Sequence, residues 1–287
     1  MSYLFGMAQC AYPHDGNVLA QVRRCVIAAA SAGVRLLAFP ENLMCPHPLD
    51  PIELRDLAEP LDGPFATQMC DLARDNGLWL AFTMSEVNPS GGQPFNTAVV
   101  VGSHGDVQAS YRKCHLYDAH GVHESDRMTA GDSLCPPIQT PFCTLGIGIC
   151  YDLRFPEVAR SLAVSGCNLV VFPAAWHDGP HKQDHWETLL KARAIENECF
   201  VAGVCHAGNG LVEDSMVVSP LGQPLPSTTI AVGHDTTDLL LVTQIDMQQV
   251  EETRSAMPIL EHRRPELYHS LTHANEGQEA ETSCPAR

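Results

Sequence analysis

Three residues whose side chains can cooperate in covalent catalysis each follow an apolar run of this chain. Glu41 follows the run LLAFP, Cys150 ends the run TLGIGIC, and Lys113 lies in YRKCHLYD, after a third apolar run. In α/β proteins, reacting groups collect in the loops at the ends of strands. A thiol acts as a nucleophile through its thiolate, which an ammonium stabilises while a carboxylate takes the proton. The sequence therefore predicts a nucleophile (Cys150), a base (Glu41) and a cation (Lys113).

The same residues predict acyl transfer from an amide. Attack of Cys150 on the carbonyl would create an oxyanion, which the Lys113 ammonium and the backbone N–H of Tyr151 would stabilise. Glu41 would protonate the departing ammonia and then deprotonate the water that hydrolyses the thioester. A depressed pKa of the Cys150 thiol is also expected, which would make it react ahead of the other cysteines.

Each residue also has a structural explanation, and two other chemistries compete. Taken singly, Cys150 is typical of a buried apolar cysteine, Lys113 of a solvated lysine and Glu41 of a turn cap. A papain-like Cys-His pair lacks its local signature here. His181 and His185 are four residues apart, as in zinc-binding helices, but there is no HExxH motif and no third ligand nearby. The Glu, Lys and Cys set explains more of the sequence.

Alternating apolar runs and helical patterns predict the elements that position these residues. Several runs are continuously apolar, as in strands covered on both faces, and the alternation indicates α/β layering. The predicted strands span 3–10, 35–41, 78–86, 96–102, 144–150, 168–176, 199–208, 215–220 and 239–246. The predicted helices span 17–32, 64–75, 156–165, 185–197 and 247–254.

The helix over 185–197 has the clearest local signals. Asp184 is predicted to cap it, with Glu187 reaching back as in a capping box, and Glu187 forms an i,i+4 pair with Lys191.

The dipeptide Phe-Pro ends two predicted strands, each preceded by an alanine-rich helix and a glycine. Two such halves predict two sheets packed face to face with helices outside.

Composition restricts the class of protein. The chain has 287 residues, of which 45% are hydrophobic and 18% charged, and no window approaches the roughly 18 apolar residues of a membrane span. A formal net charge of −17 argues against a nucleic-acid partner. No secretory signal pattern is present, so we expect a cytoplasmic protein with free thiols. We expect one domain over 1–269 and a disordered tail over 270–287.

Five motifs resemble the nitrilase superfamily of carbon-nitrogen hydrolases. They are FPEN at 39–42, YRKCHLYD at 111–118, GICYDLRFPE at 148–157, FPAAW at 172–176 and HWETLLKARAIEN at 185–197. The motifs stand in the order expected for the family, and the resemblance extends to RRPELY at 263–268.

This resemblance implies both a fold and a set of catalytic residues. The fold would be a four-layer α-β-β-α sandwich, and the triad would be Glu41, Lys113 and Cys150, without metal or cofactor. A second glutamate that supports the lysine in the family would be Glu124. The family also implies a homodimer or a higher homo-oligomer.

Within the superfamily, the loops after Lys113 and Cys150 look most like the amidases of the omega-amidase and deaminated glutathione amidase group. That likeness implies hydrolysis of a small linear amide, one that bears a carboxylate, through a cysteine thioester. Trp176 is a candidate pocket wall. Candidate cations for the substrate carboxylate are Arg127, His177, His181 and Lys182.

Several alternatives stay open at this level. Nitrile hydrolysis and N-carbamoyl amine hydrolysis use the same triad, so only the pocket can separate them from amide hydrolysis. A non-catalytic binding protein that retains the sandwich is a further alternative. Asp152 and Arg154 are predicted to brace the turn after the nucleophile or a subunit interface rather than to touch substrate.

Overall fold

The structure, a computed structural model, describes residues 1–13, 15–45, 51–208, 210–233 and 237–268. The predicted tail at 270–287 lies outside the described residues. The strands are β1 (Ser2–Gln9), β2 (Val34–Ala38), β3 (Trp79–Glu86), β4 (Phe95–Val101), β5 (Val107–Arg112), β6 (Asp118–Ala119), β7 (Val122–His123), β8 (Ile138–Gln139), β9 (Thr144–Ile147), β10 (Leu169–Ala174), β11 (Phe200–Cys205), β12 (Met216–Val218), β13 (Thr228–Ala231) and β14 (Leu239–Asp246). The helices are α1 (Val18–Ser31), α2 (Pro51–Leu57), α3 (Pro64–Asn76), α4 (Pro156–Val164), α5 (Lys182–Asn197) and α6 (Gln248–Ala256), with 3-10 turns at Glu124–Asp126, Cys150–Arg154 and Pro265–Leu267.

Two large sheets form the centre of the fold. The seven-stranded sheet has the order β13-β14-β1-β2-β3-β4-β5, and the five-stranded sheet has the order β12-β11-β10-β9-β8. The inner pairs β1/β2, β2/β3, β9/β10 and β10/β11 are parallel. Strands β3, β4, β10 and β11 are buried along their whole length. The sequences of β10 and β11 are continuously apolar, as expected for strands covered on both faces, whereas β3 and β4 also contain buried polar residues.

The layers follow from which side chains meet. Successive residues of a strand point to opposite faces, so Ala81 of β3 joins the core between the two sheets while Phe82 packs beneath α1 and α3. On the outer face of the five-stranded sheet, Trp186 of α5 packs over Gly203 of β11, where the absent Cβ leaves room for the indole. The predicted α-β-β-α sandwich is therefore confirmed.

Helix α5 starts differently from the prediction. The chain enters it through His181, whose φ of 62° lies in the left-handed region, and the Lys182 N–H donates to the Gly179 carbonyl at 3.0 Å. The helix therefore begins before Asp184, which lies in its first turn, and the predicted capping box is wrong. The Glu187–Lys191 ion pair is present at 2.9 Å.

Strand β9 is shorter than predicted, and this difference shapes the site. It ends at Ile147, because the Ile149 N–H donates to the side chain of Asp152 at 2.7 Å and turns the chain out of the sheet. A 3-10 turn follows, beginning at Cys150.

None of the helices in the described ranges is both long enough and apolar enough to cross a membrane.

Candidate active site

Four side chains that are distant in sequence meet where β2, β5 and β9 end. Glu41 lies three residues after β2, Lys113 directly follows β5, and Cys150 lies three residues after β9. Glu124, from the 3-10 turn Glu124–Asp126, completes the group. The structure therefore brings together the four residues that the sequence and the family resemblance single out.

Lys113 is the centre of a buried ion cluster. Its Nζ lies 2.8 Å from Glu41 Oε1 and 2.8 Å from Glu124 Oε2, and only 2% of the side chain is exposed. Burial alone would lower the pKa of Lys113, but the charges of Glu124 and Glu41 outweigh it and hold that pKa well above its ordinary value. Burial would likewise raise the pKa of Glu41, yet Lys113 keeps it below the ordinary value. The resting site thus holds an ammonium and an ionised Glu41.

The two oxygens of the Glu41 carboxylate are not equivalent. Oε1 accepts from Lys113 Nζ at 2.8 Å and from the Asn96 side-chain amide at 2.9 Å. Oε2 accepts the backbone N–H of Ala175 at 2.9 Å. Each carboxylate oxygen can accept two hydrogen bonds. Oε1 is therefore saturated, while Oε2 keeps one lone pair for a further proton.

Glu124 is held by the loop that carries it. Its Oε2 accepts the Tyr117 N–H at 2.6 Å, and its carbonyl accepts the N–H groups of Arg127 and Met128, both at 2.9 Å. This carboxylate is 16% exposed, more than that of Glu41. The loop contacts fix the second counter-charge of Lys113 in place.

Cys150 lies on a strained turn that a buried aspartate braces. Its φ is 44°, a left-handed conformation that costs about 1–3 kcal/mol in a residue with a side chain. Asp152 Oδ2 accepts from the Ile149 N–H at 2.7 Å and from the Tyr111 hydroxyl at 2.8 Å, while Oδ1 lies 2.7 Å from His115 Nδ1. Since Tyr111 and His115 flank the buried lysine in sequence, Asp152 connects the turn of the thiol to the strand of the cation. This is the bracing role predicted for Asp152.

The protonation state of Cys150 differs from the prediction. Burial raises the pKa of the thiol well above its ordinary value, and the negative charge of Glu41 raises it further. The cation of Lys113 opposes this rise, but two carboxylates already neutralise that cation. The expectation of a depressed pKa is therefore wrong, and at rest the side chain of Cys150 is a neutral thiol beside an ionised carboxylate.

An open pocket of about 800 Å³ leads to Cys150. The residues predicted for catalysis and oxyanion stabilisation all lie on its wall, as do Trp176 and three of the four candidate cations, Arg127, His177 and Lys182. The lining residues are Glu41, Asn42, Cys45, Leu54, Lys113, Tyr117, Val122, His123, Glu124, Arg127, Met128, Cys150, Tyr151, Arg154, Ala175, Trp176, His177 and Lys182. Its lining of apolar and aromatic side chains with a few charged groups is typical of a site for a small organic molecule.

Two cations flank the indole of Trp176 in this pocket. The guanidinium carbon of Arg154 lies 4.6 Å from the centre of the Trp176 ring, and Lys182 Nζ lies 6.0 Å from it. Lys182 Nζ also donates to the Tyr117 hydroxyl at 3.0 Å. In the part of the chain that the structure describes, neither these two cations nor Arg127 has a carboxylate within 4.0 Å. Arg154, predicted to brace the turn or an interface, is thus a pocket residue.

The histidines near the pocket are not arranged as metal ligands. The His177 ring is stacked 6.4 Å from that of Tyr117, and burial lowers its pKa. His181 is absent from the pocket wall, and its ring lies 6.4 Å from that of His185. Over the described ranges, no group of three or more His, Cys, Asp and Glu side chains is placed to hold a metal ion.

Three contacts of Glu41 were not predicted from the sequence. Asn96 is a polar residue in the wholly buried strand β4, and His206 follows the apolar strand β11, so each gives a weak signal of a buried polar contact. His206 Nε2 lies 2.6 Å from the Glu41 carbonyl. The third contact comes from the backbone amide of Ala175, which leaves no trace in the residue type.

Comparison with known proteins gives a consistent picture. The family model described as carbon-nitrogen hydrolase matches residues 4–255. The chain is 37% identical over 238 residues to deaminated glutathione amidase of Rattus norvegicus, covering 77% of this chain and 70% of the relative. It is 32% identical over 252 residues to an omega-amidase of Mus musculus, covering 84% of this chain and 87% of the relative.

A solved structure supports the same similarity. The NitFhit protein of C. elegans superposes with a TM-score of 0.82 at 30% sequence identity. The match covers 93% of this chain and 66% of that fusion protein, so a third of the fusion protein has no counterpart in the match.

Proposed function

The chain belongs to the carbon-nitrogen hydrolase family and is an amidohydrolase of small amides, and from this premise we propose that it cleaves carboxylate-bearing amides with Cys150 as nucleophile. One observation carries the proposal. The pocket that reaches Cys150 and the Glu41–Lys113–Glu124 cluster is lined by Arg127, Arg154 and Lys182. Two of the relatives that match the chain are a deaminated glutathione amidase and an omega-amidase.

In the proposed mechanism, Glu41 acts as the general base through Oε2. The thiol is neutral in the resting site, so its proton must leave as the sulfur attacks the amide carbonyl. Oε1 already accepts two donors, whereas Oε2 accepts only the Ala175 N–H. Oε2 is therefore the atom that can take the proton.

Lys113 would stabilise the oxyanion that this attack creates. Its ammonium is fixed by Glu41 and Glu124, and the backbone N–H of Tyr151 is the second proposed donor. Loss of one such donor usually costs about 100- to 1,000-fold in kcat. Donors that are in position before the reaction lower the barrier because they need no reorganisation as the charge develops.

The second half of the reaction reuses the same carboxyl group. Protonated Glu41 gives its proton to the leaving nitrogen, which departs as ammonia from a primary amide or as an amine from a substituted one, leaving a Cys150 thioester. Ionised again, Glu41 takes a proton from water, whose oxygen attacks the thioester carbonyl. The carboxylic acid departs and the thiol regains its proton, so Glu41 ends the cycle ionised.

The protonation states predict a broad pH profile. Because Lys113 lowers the pKa of Glu41, the acid limb of kcat/KM is expected below 4.5, the ordinary value of a glutamate. Because the thiol must carry a proton for Glu41 to accept, and its pKa is raised, the alkaline limb is expected above 9.0, the ordinary value of a cysteine. Initial rates across this range, with circular dichroism at each pH as the control for folding, test it. An acid limb near 6.5, the ordinary pKa of histidine, would contradict Glu41 as the base.

Arg154 is the first candidate for the substrate carboxylate. Its guanidinium is half-buried against Trp176 and presents a planar set of donors that suits a carboxylate. Lys182 lies near the same ring, so the two cations create a positive patch on the pocket wall. A neutral amide of equal length would gain nothing from that patch.

A pair of matched substrates tests the proposal. Succinamate and butyramide have similar lengths, but only succinamate carries a terminal carboxylate. We expect kcat/KM to favour succinamate, and Arg154→Gln to raise KM for succinamate by about 10- to 100-fold while leaving butyramide unchanged, as for loss of a charge-assisted hydrogen bond. Arg23→Gln, at an exposed position of α1, is the control and should behave like the unmodified enzyme.

The same assay includes deaminated glutathione, a simple aliphatic nitrile and an N-carbamoyl amine. Turnover confined to the nitrile or the carbamoyl compound would contradict the proposed substrate class while keeping the triad. Equal kcat/KM for succinamate and butyramide would contradict the role of the cationic patch. No turnover of any compound would favour a binding protein on this fold.

We also propose a homodimer in the cytoplasm. Ile195 and Leu221 are exposed apolar side chains, and Ile195 packs against Gly222, the residue after Leu221, so both belong to one region of the surface that could form an interface. The cysteines of the described ranges are all free, which is typical of proteins in a reducing compartment.

A further inference from the structure

His206 is a buried histidine that the proposed mechanism does not use. We propose that His206 is a positioning residue, whose imidazole holds the backbone of Glu41 and thereby aligns the base with Cys150. The inference rests on the proposed function, since Glu41 is assigned there as the base.

The contacts of His206 are short and shielded from solvent. Nε2 lies 2.6 Å from the Glu41 carbonyl oxygen, and Nδ1 lies 3.0 Å from the Cys10 carbonyl oxygen. Only 2% of the residue is exposed, and the ring of Tyr12 covers it with the ring centres 4.1 Å apart. A hydrogen bond in so dry a position resists exchange with water.

The place of His206 in the fold explains why this contact matters. It directly follows β11 of the five-stranded sheet, whereas Cys10 and Glu41 follow β1 and β2 of the seven-stranded sheet. Cys150 follows β9, in the same sheet as β11. The base and the nucleophile therefore belong to different sheets, and their separation depends on polar links across the sandwich. The imidazole is such a link, attached to the base itself.

The protonation state of the His206 ring indicates which of its two nitrogen atoms donates a hydrogen bond. Burial lowers the pKa of His206, so the neutral ring has a single N–H at neutral pH. The Cys10 carbonyl already accepts the Ala207 N–H at 3.1 Å. Among the described residues, His206 is the donor available to the Glu41 carbonyl, and this contact is the shorter one. The single N–H is therefore assigned to Nε2.

Replacement of the ring by two amides separates its contacts. The side-chain nitrogen of glutamine reaches about as far as Nε2, whereas that of asparagine stops near the position of Nδ1. We expect His206→Gln to keep most of kcat. His206→Asn and His206→Ala should each lose about 10- to 100-fold in kcat with KM unchanged, the effect of a small misplacement of a catalytic group.

Gln21→Ala is the matched control. Gln21 is also a buried polar residue, 5% exposed, and it donates to the carbonyl of Ala11 at 2.7 Å, next to Cys10. It has no contact with Glu41. Its loss should lower the melting temperature while leaving kcat unchanged, because it supports the loop without holding the base.

A second readout is independent of substrate. The rate at which iodoacetate, which is not an amide, alkylates Cys150 at neutral pH is followed by mass spectrometry of the Cys150 peptide, and it should rise with the ease with which Glu41 takes the thiol proton. It should fall in His206→Ala and His206→Asn and recover in His206→Gln. If no amide is hydrolysed but this pattern holds, the positioning role stands and the proposed function fails. Unchanged kcat and alkylation rate in folded His206→Ala, or equal losses in His206→Gln and His206→Ala, would overturn the inference.

Discussion

Cys150→Ala is expected to lose amide turnover by about 10⁴-fold or more, the largest effect of any single substitution in this chain. Without the sulfur no thioester can form, and Glu41 has no nucleophile to deprotonate except water. The change removes one atom at a residue that is only 9% exposed, and Asp152 still braces the turn. The variant should therefore fold, and calorimetry should give a melting temperature close to that of the unmodified enzyme.

Cys135→Ala provides the control for this experiment. Cys135 is 6% exposed and belongs to the same apolar core, but it does not line the pocket. It should keep full turnover. Rapid quenching of the unmodified enzyme should also give an acyl adduct that maps to Cys150. Persistent turnover in Cys150→Ala, or an adduct on another cysteine, would refute the assigned nucleophile.

Lys113→Met is expected to lose about 10³-fold or more in kcat, because one substitution removes an oxyanion donor and the counter-ion of the base. Methionine keeps much of the apolar stem, so the effect reports the charge rather than a cavity. Without the ammonium, burial dominates and raises the pKa of Glu41, which at present Lys113 lowers. The acid limb of the pH profile should therefore move upward.

In Lys113→Met, the free energy of unfolding should change with pH in the direction opposite to that of the unmodified protein. In the unmodified protein the pKa of Glu41 is lowered, so this group stabilises the fold above its unfolded pKa and the stabilisation is lost as the pH falls. In Lys113→Met the raised pKa of the buried carboxylate favours the protonated form, so stability should decrease as the pH rises. Melting temperatures at acid and neutral pH measure both trends.

Lys191→Ala is the control for the change of charge. Lys191 forms an i,i+4 pair with Glu187 on the surface of α5, 35% and 37% exposed, and its loss should cost no more than about 0.5 kcal/mol. It should leave kcat unchanged. If kcat of Lys113→Met stays within tenfold of that of the unmodified enzyme, the oxyanion must be stabilised by other groups.

Glu41 and Cys150 could be predicted to lie at a site because each stands at the end of an apolar run, whereas Lys113 follows β5, a mostly polar and exposed strand that comes after the apolar strand β4. A run of this kind marks a buried strand, and strand ends are where a sheet can hold a polar side chain at a site. Glu124 could not be identified from the sequence pattern, because it lies on a short 3-10 turn rather than at the end of an apolar run. Only the resemblance to a family identified it.

The contacts that Asn96 and His206 make with Glu41 could not be predicted in this way. Asn96 lies 55 positions from Glu41 in sequence, and His206 lies 165 positions away. Their proximity depends on which strands pair and on how the two sheets pack, which residue types do not encode locally. The pKa of Cys150 was predicted with the wrong sign for a related reason. The sequence reveals a cation nearby, but not the depth of burial or the two carboxylates that neutralise the cation.

The buried neutral thiol has a consequence for chemical damage. Peroxide oxidises the thiolate form of a cysteine to sulfenic acid, and further oxidation gives states that are irreversible. At rest, Cys150 is protonated and shielded, so little of it is in the vulnerable form. In the proposed mechanism, the reactive form arises only while Glu41 holds the proton, when a substrate carbonyl occupies the space in front of the sulfur. The arrangement that delays deprotonation until attack thus also protects the enzyme from oxidative inactivation between turnovers.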